Sequence, residues 1–142
     1  MAINPDFAPT FMELAGLPVP ADMQGRSLVP LLKGEHPAAW RTSWYYRYYD
    51  DPGAHNTRAH YGVRTATHKL IYFWKKDQWE MYDLVKDPAE LHNIYQDPAQ
   101  ADTVAKLKQE LFRLKKDLKD ADQFAAHQPT TSVDGPAPKP KN

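Results

Sequence analysis

The sequence predicts an α+β fold in which a four-stranded antiparallel sheet packs against a long C-terminal helix and follows an N-terminal helical arm. All eight tyrosines and all four tryptophans lie between residues 40 and 95, an enrichment that favours strands. Beyond them, apolar residues recur at spacings of three and four, which is typical of an amphipathic helix. We therefore divide the chain into an arm (residues 1–42), a subdomain (43–122) and a disordered tail (123–142).

The arm is predicted to contain two short helical segments. Asp6 is expected to cap a helix over residues 7–15, because its carboxylate can accept a hydrogen bond from a free backbone N–H of the first turn. Gly16 is expected to end that helix. Ser27 is expected to begin a second helical turn, which ends at Gly34.

Four strands are predicted, at about residues 43–49, 60–66, 68–74 and 79–84. The second and third strands are so close in sequence that only an antiparallel hairpin can join them. Both alternating sets of the third strand are largely apolar, which indicates a central strand covered on two faces. The polar segment 50–59 is long for a hairpin loop, so we expect it to be functional or mobile.

The long helix is predicted to begin at the segment Asp97-Pro98-Ala-Gln100, which combines an N-cap acceptor with proline in the first turn. Its apolar stripe consists of Val104, Leu107, Leu111, Leu114 and Leu118. The stripe could mark a coiled-coil partner, but little more than two heptads is short for one, so packing on the chain's own sheet is favoured. The proline- and lysine-rich tail cannot bury enough apolar area to order itself.

The composition limits the function classes. Lysine plus arginine and aspartate plus glutamate number 18 each, so no strong field favours nucleic acid or an anionic membrane. The absence of cysteine excludes disulfides and zinc–thiolate sites. Neither a membrane span nor a signal peptide is predicted from these residues, so the compartment stays open.

Metal binding is not predicted from the residues. Three histidines, His55, His60 and His68, lie around the first hairpin, but their spacing matches no zinc pattern. Asp50 and Asp51 precede Pro-Gly in a turn, where aspartates usually satisfy backbone donors rather than bind calcium.

Three side chains are candidates for contact with an anionic ligand. The guanidinium groups of Arg47 and Arg64 can bind an oxyanion in a bidentate manner, and His60 lies close to Arg64 in sequence. The run of tyrosines from 45 to 49 could stack on sugar rings, although such residues more often pack within a sheet. On the residues alone, all of these can equally be surface or packing positions.

Four phrases of the sequence resemble the C-terminal region of bacterial formylglycine-dependent sulfatases of the N-sulphoglucosamine sulphohydrolase type, close to arylsulfatase A and choline-sulfatase relatives. They are Asp6-Phe-Ala-Pro-Thr10, Gln24-Gly-Arg-Ser27, His60-Tyr-Gly-Val-Arg-Thr65 and Glu80-Met-Tyr-Asp-Leu84. The resemblance implies an alkaline-phosphatase-like fold. In that fold the arm completes a large α/β domain, and the sheet and its helix form the smaller C-terminal subdomain beside the cleft.

A complete relative is expected to hydrolyse a sulfate ester or sulfamate with a hydrated formylglycine on a calcium ion. Formylglycine is made from the first residue of a Cys/Ser-x-Pro-x-Arg motif, and this chain has neither a cysteine nor a Ser-x-Pro sequence. We therefore expect no catalytic residue, no cofactor and no metal site here. The resemblance implies a sulfated carbohydrate or aryl sulfate as ligand, and a separately encoded catalytic domain as a partner. Complete relatives are often periplasmic or secreted.

The resemblance also implies which residues contact substrate. His60 is the first candidate, because it begins the phrase that lies near the cleft in relatives, and Arg64, Arg47 and the loop residue His55 follow. The alternative interpretation is a free-standing carbohydrate- or protein-binding module that uses the tyrosine-rich sheet.

Overall fold

A computed structural model describes residues 1–122, which form two compact units, Met1–Thr42 and the chain from Ser43 onward. The predicted tail, 123–142, lies outside the described residues. Within the described part, no helix has both the length and the apolar character needed to cross a membrane.

The first unit contains a 3-10 turn at Asn4–Asp6, helix α1 (Phe7–Leu14) and the short helix α2 (Val29–Leu32). Gly16 and Gly34 follow the two helices with φ of 69° and 79°. Glycine adopts this left-handed conformation without the steric cost that a Cβ would bring, so both helices end where the glycines predict.

The prediction that Asp6 caps α1 is wrong. The 3-10 turn runs directly into the helix, so the Asp6 backbone is already helical (φ −77°, ψ −20°) and its side chain makes no capping bond. The buried carboxylate accepts instead from the backbone N–H of Ile3 at 2.8 Å and of Arg26 at 2.9 Å, and it binds both Nη atoms of Arg41. Burial alone would raise the pKa of Asp6, but these hydrogen bonds outweigh it and the pKa is lowered.

The arm leaves an unusual amount of apolar surface in contact with solvent. Phe7, Phe11 and Leu14 of α1 are 52%, 65% and 65% exposed, and Leu32 at the end of α2 is 72% exposed. Phe7, Phe11 and Leu14 are three or four residues apart, so they share one side of α1.

The second unit is a sheet with one long helix. Its strands are β1 (Ser43–Tyr48), β2 (His60–Thr65), β3 (His68–Phe73) and β4 (Gln78–Asp83), in the spatial order β1-β2-β3-β4. Every neighbouring pair is antiparallel. The predicted α+β fold is confirmed, and each strand end lies within one residue of its predicted position.

Successive residues of each strand point to opposite sides, so the sheet has two faces of different composition. We call the side packed on the long helix the helix face. Its residues are Ser43, Tyr45, Arg47, Tyr61, Val63, Thr65, His68, Leu70, Tyr72, Trp79, Met81 and Asp83. We call the other side the His60 face, and its residues are Trp44, Tyr46, Tyr48, His60, Gly62, Arg64, Lys69, Ile71, Phe73, Gln78, Glu80 and Tyr82.

Helix α3 (Ala101–Asp117) covers the helix face after a 3-10 turn at Pro98–Gln100. Asp97 accepts a hydrogen bond from the Ala99 N–H at 2.9 Å, which confirms it as the residue that begins this helical segment. Leu107 and Leu111 are buried against the sheet, whereas Leu118 lies beyond the last turn and is 39% exposed. The helix therefore supplies one side of the only core formed by the described residues of the second unit.

The outer edge of β4 is protected by a side chain. The Asn93 amide accepts from the Met81 N–H at 3.0 Å and donates to the Trp79 carbonyl at 3.3 Å, and the Ile94 N–H then donates to the Met81 carbonyl at 2.9 Å. Unpaired edge groups would otherwise be a template for association with another strand.

Candidate functional site

His60 begins β2 and lies among three aromatic rings on the His60 face. Its ring stacks on Tyr48 at a centroid distance of 5.7 Å and contacts Tyr46 and Phe73 at 5.6 and 5.3 Å. Strand pairing produces this arrangement, because Tyr48 is the cross-strand partner of His60. The imidazole is half-buried and is held on more than one side.

One hydrogen bond defines the tautomer of His60. Its Nδ1 lies 2.7 Å from the backbone carbonyl of Arg58. A carbonyl oxygen only accepts, so Nδ1 must carry the proton, and Nε2 is the remaining functional nitrogen. Nε2 accepts a hydrogen bond when the ring is neutral and donates one when it is charged.

Arg64 lies on the same face, four residues along β2, beside Lys69 of β3. Glu90 approaches both cations: its carboxylate binds Lys69 Nζ at 2.5 Å and lies 3.8 Å from Arg64 Nη1. The Arg64 side chain is 43% exposed, and one long contact uses little of a guanidinium with five N–H donors. Arg64 therefore keeps the capacity to bind an oxyanion.

The positions of His60 and Arg64 limit what one ligand can do. Four residues of strand separate their Cα atoms by about 13 Å. A ligand that contacts both side chains therefore has to reach across the surface between them.

The floor between them is formed by Gly62. A Cβ at this position would lie 2.5 Å from the Leu70 carbonyl oxygen and 2.7 Å from the Tyr46 hydroxyl, so only glycine leaves room for the Tyr46 ring. The Tyr46 hydroxyl is buried, and burial, reinforced by the Glu90 and Glu80 carboxylates, raises the pKa of Tyr46.

The structure places Arg47 away from His60 and Arg64, on the helix face. Its side chain is 4% exposed, and Nη1 binds Asp120 at 2.7 Å and Asp122 at 2.6 Å. Its guanidinium carbon also lies 4.5 Å from the ring centroid of Trp74 and 5.3 Å from that of Tyr61. These contacts tie the end of α3 to the sheet and leave Arg47 no access to a ligand on the His60 face.

The carboxylates around Arg47 are strongly held. Burial would raise the pKa of Asp120, but hydrogen bonds from Tyr45 and Arg47 outweigh that effect and lower it. The pKa of Asp122 is lowered in the same way, by Lys115 and Arg47 against burial. Both groups therefore stay ionised at acidic pH values where a free carboxylate would be partly protonated.

His55 lies in the loop between β1 and β2, in a 3-10 turn at Ala54–Asn56, and is exposed with φ of 56°. The turn is closed by hydrogen bonds from the Gly53 N–H to the Thr57 carbonyl at 2.8 Å and from the Thr57 hydroxyl to the Ala54 carbonyl at 2.7 Å. Asp51 forms ion pairs with Arg58 and Lys75 rather than with backbone donors. The predicted long polar loop is thus an internally bonded structure.

Sequence reasoning did not single out Lys69 or Glu90 for this site, and it gave Tyr48 only as part of the tyrosine run that could stack on sugar rings. The period of two along the strands could have found Tyr48 and Lys69, because it places them beside His60 and Arg64. No sequence signal identifies Glu90, which reaches the sheet from a loop in a left-handed conformation (φ 55°).

Comparison with known proteins identifies the family. The family described as "N-sulphoglucosamine sulphohydrolase, C-terminal" matches residues 1–117. An N-acetylglucosamine-6-O-sulfatase of Bacteroides thetaiotaomicron is 46% identical over 125 residues, which are 86% of this chain and 22% of the relative.

Two solved structures are similar to the chain. The structure of BT4656 in complex with its substrate D-glucosamine-2-N,6-O-disulfate has a TM-score of 0.77 at 46% identity, and covers 82% of this chain and 24% of that one. The structure of BT1596, a 2-O GAG sulfatase, has a TM-score of 0.73 at 28% identity, and covers 83% of this chain and 25% of that one. The chain thus spans about a quarter of the length of these relatives.

The residues of the described part do not fit the calcium and formylglycine that sulfatases generally use. Residues 1–122 contain no group of three or more His, Asp or Glu side chains placed to hold a metal ion. The sequence has no Cys/Ser-x-Pro-x-Arg motif. The match to the family and to its sulfatases confirms the resemblance seen in the sequence: the chain belongs to the N-sulphoglucosamine sulphohydrolase C-terminal family of sulfatases and corresponds to their C-terminal region.

Proposed function

We propose that this chain supplies the substrate-side wall of a sulfatase that acts on a sulfated carbohydrate, with the bond-breaking groups outside it. The observation that carries the proposal is the pair His60 and Arg64 on one face of the sheet, each with hydrogen-bonding capacity left for a ligand. The relatives named as glucosamine sulfatases support sulfated glucosamine as the first ligand to test.

In this proposal the two side chains have different roles. Arg64 binds an anionic group of the saccharide, because a guanidinium matches an oxyanion in geometry and charge. His60 presents Nε2 to a hydroxyl group when neutral, or to a sulfate or leaving-group oxygen when charged. Glu90 limits the net positive charge at Arg64, so the surface favours a ligand that combines one anionic group with neutral polar groups.

The first unit has a separate role in the proposal. Its exposed apolar side chains, including Phe7, Phe11 and Leu14, pack on the remainder of the sulfatase, which is encoded upstream or as a separate chain. Each of these side chains is already partly buried, so covering the exposed half to two thirds contributes about 1–2 kcal/mol per side chain to docking.

The test uses the isolated chain and a chimera. The isolated chain is expected to hydrolyse neither an aryl sulfate nor glucosamine 6-sulfate. In the chimera, residues 1–122 replace the matching segment of the 46%-identical N-acetylglucosamine-6-O-sulfatase. The chimera is expected to be active, and His60→Ala within it to lower kcat/KM by about 10- to 100-fold, the cost of one hydrogen bond to a charged or developing charge.

The matched control is His92→Ala, since His92 is a largely exposed histidine of the same unit. An active chimera whose kcat/KM falls equally in both variants, or in neither, contradicts the proposal. Sulfatase activity of the isolated chain contradicts its non-catalytic part. Glycan binding by the isolated chain without any active chimera favours the alternative of a free-standing binding module.

A further inference from the structure

Tyr48 connects His60 to the loop that follows β1. Its hydroxyl accepts a hydrogen bond from the Ala54 N–H at 3.2 Å. A Cβ on the buried Gly53 would lie 1.9 Å from that hydroxyl and 2.6 Å from the ring carbon that bears it. Gly53 has an ordinary φ of −90°, so glycine is needed here for lack of room and not for backbone freedom.

The same loop also contacts the edge of the imidazole that carries Nδ1. Its last part carries the Arg58 carbonyl, which accepts the Nδ1–H of His60 at 2.7 Å, while the Tyr48 ring stacks on the imidazole with an interplanar angle of 26°. Tyr48, the loop and His60 therefore form a closed ring of contacts. Within it, the bond from the Gly53 N–H to the Thr57 carbonyl fixes the loop between its two anchor points.

We propose that Tyr48 is a positioning residue for His60: its ring sets the plane of the imidazole, and its hydroxyl anchors the loop whose Arg58 carbonyl keeps the proton on Nδ1. The outcome is an imidazole whose Nε2 is an acceptor in the neutral form. The group of the ligand that it selects is then a hydrogen-bond donor, namely a sugar hydroxyl or an amine. The inference about the ligand group rests on the proposed function, whereas the assignment of the His60 tautomer does not.

If Tyr48 has a merely structural role, a different result is predicted. If the ring only fills space, then loss of its hydroxyl leaves His60 unchanged, and loss of the ring lowers stability without changing which nitrogen is protonated. The tautomer of His60 is therefore the quantity that separates the two roles.

The experiment records long-range proton–nitrogen correlations of the six histidines in the full 142-residue chain, at a pH where the imidazoles are neutral. His60 is expected to show a protonated Nδ1 and an unprotonated Nε2. Tyr48→Leu is expected to abolish that pattern in favour of Nε2–H. Tyr48→Phe and Gly53→Ala, which disturb the anchor and keep a ring, are expected to produce a mixture of both tautomers.

Tyr72→Phe is the matched control, because it removes another tyrosine hydroxyl, bonded to Asp77, on the opposite face. It is expected to leave His60 unchanged. Methyl signals of Leu70 and Met81 report whether each variant is folded. If Tyr48→Leu does not fold, the tautomer of His60 in Tyr48→Phe alone tests the positioning role. An Nε2–H tautomer in the unsubstituted chain, or an unchanged pattern in every folded variant, overturns the proposal.

Titration with glucosamine 6-sulfate separates this inference from the proposed function. If His60 has the expected tautomer but its chemical shifts do not change when the sugar is added, the positioning role is supported and the ligand contact is contradicted. The expected tautomer together with a shift that Tyr48→Phe weakens supports both.

Discussion

The two faces of the sheet are built from the same four strands, yet the arginine on one face is enclosed and the arginine on the other is accessible to solvent. On the helix face, Arg47 is 4% exposed and is surrounded by aspartates and aromatic rings. On the His60 face, Arg64 is 43% exposed and has one long contact with Glu90. The difference teaches that an arginine in this sheet is enclosed or accessible to solvent according to the face on which its side chain lies.

The largest effect is expected from breaking the cover of the helix face. Leu111 is fully buried, and Leu111→Ala is expected to lower the free energy of unfolding by about 3 to 5 kcal/mol through lost burial and the cavity left behind. Its neighbour Phe112 is 49% exposed, so Phe112→Ala is the control, with a much smaller loss. Urea unfolding of the two variants measures both, and equal losses would mean that α3 does not pack as described.

The next effect concerns the charge on the helix face. Arg47→Met leaves the carboxylate of Asp120 buried without its cation, although the Tyr45 hydroxyl still donates to it, and is expected to cost about 3 kcal/mol. Arg113→Met breaks the exposed ion pairs with Glu110 and Asp117 and is expected to cost at most about 1 kcal/mol. Thermal unfolding compares the two variants. If Arg47→Met lowers stability no more than Arg113→Met does, the description of Arg47 as a buried, paired arginine is contradicted.

A smaller effect is expected on the His60 face. Gly62→Ala places a Cβ against the Leu70 carbonyl and the Tyr46 ring, so the strand or the ring must move at a cost of about 1 to 3 kcal/mol. Ala66→Gly, at an exposed position between β2 and β3, is the comparison change of equal size. Chemical denaturation gives the cost, and a stabilising Gly62→Ala would show that the Tyr46 ring does not lie over Gly62.

Acid is expected to weaken the helix face through Asp120 and Asp122. The folded-state pKa values of Asp120 and Asp122 are below the unfolded value of 3.8, so their contribution is present above that value and is lost as pH falls through the lower folded pKa. Unfolding midpoints measured from pH 6 down to pH 2 are expected to fall less steeply in Arg47→Met. Parallel pH profiles for the variant and the unsubstituted chain would contradict this assignment of the pKa shifts.

Much of the fold was accessible from the sequence because local signals agree with the tertiary structure. The aromatic strands, the tight turn near Thr67 and the Asp97-Pro98 segment each act over a few residues, and their positions were predicted to within a residue or so. Asp6 shows the limit of such reasoning. Its local pattern favours a cap, but Arg41, 35 residues away, offers the buried carboxylate a stronger partner.

The site was harder to predict for a related reason. In the run of tyrosines around Arg47, both alternating sets are aromatic, so the sequence does not indicate which set faces α3. The choice is made by Asp120 and Asp122, more than 70 residues away. His60 and Arg64 stay predicted substrate contacts, His55 stays a prediction on an exposed loop, and Arg47 has a structural explanation of its own.

The most direct test of the two-face account compares the two arginines in the active chimera. Arg64→Ala and Arg47→Met are each assayed for kcat/KM on glucosamine 6-sulfate and for Tm. The account predicts that Arg64→Ala lowers kcat/KM by about 10- to 100-fold with little change in Tm, because a charge-assisted hydrogen bond to the ligand is lost. It predicts that Arg47→Met lowers Tm, because a buried ion pair is lost. The kcat/KM of this variant, measured well below its Tm, is expected to stay within about threefold of the unsubstituted chimera, a difference of about 0.6 kcal/mol. The reverse pattern, or equal losses of kcat/KM in both variants, would contradict it.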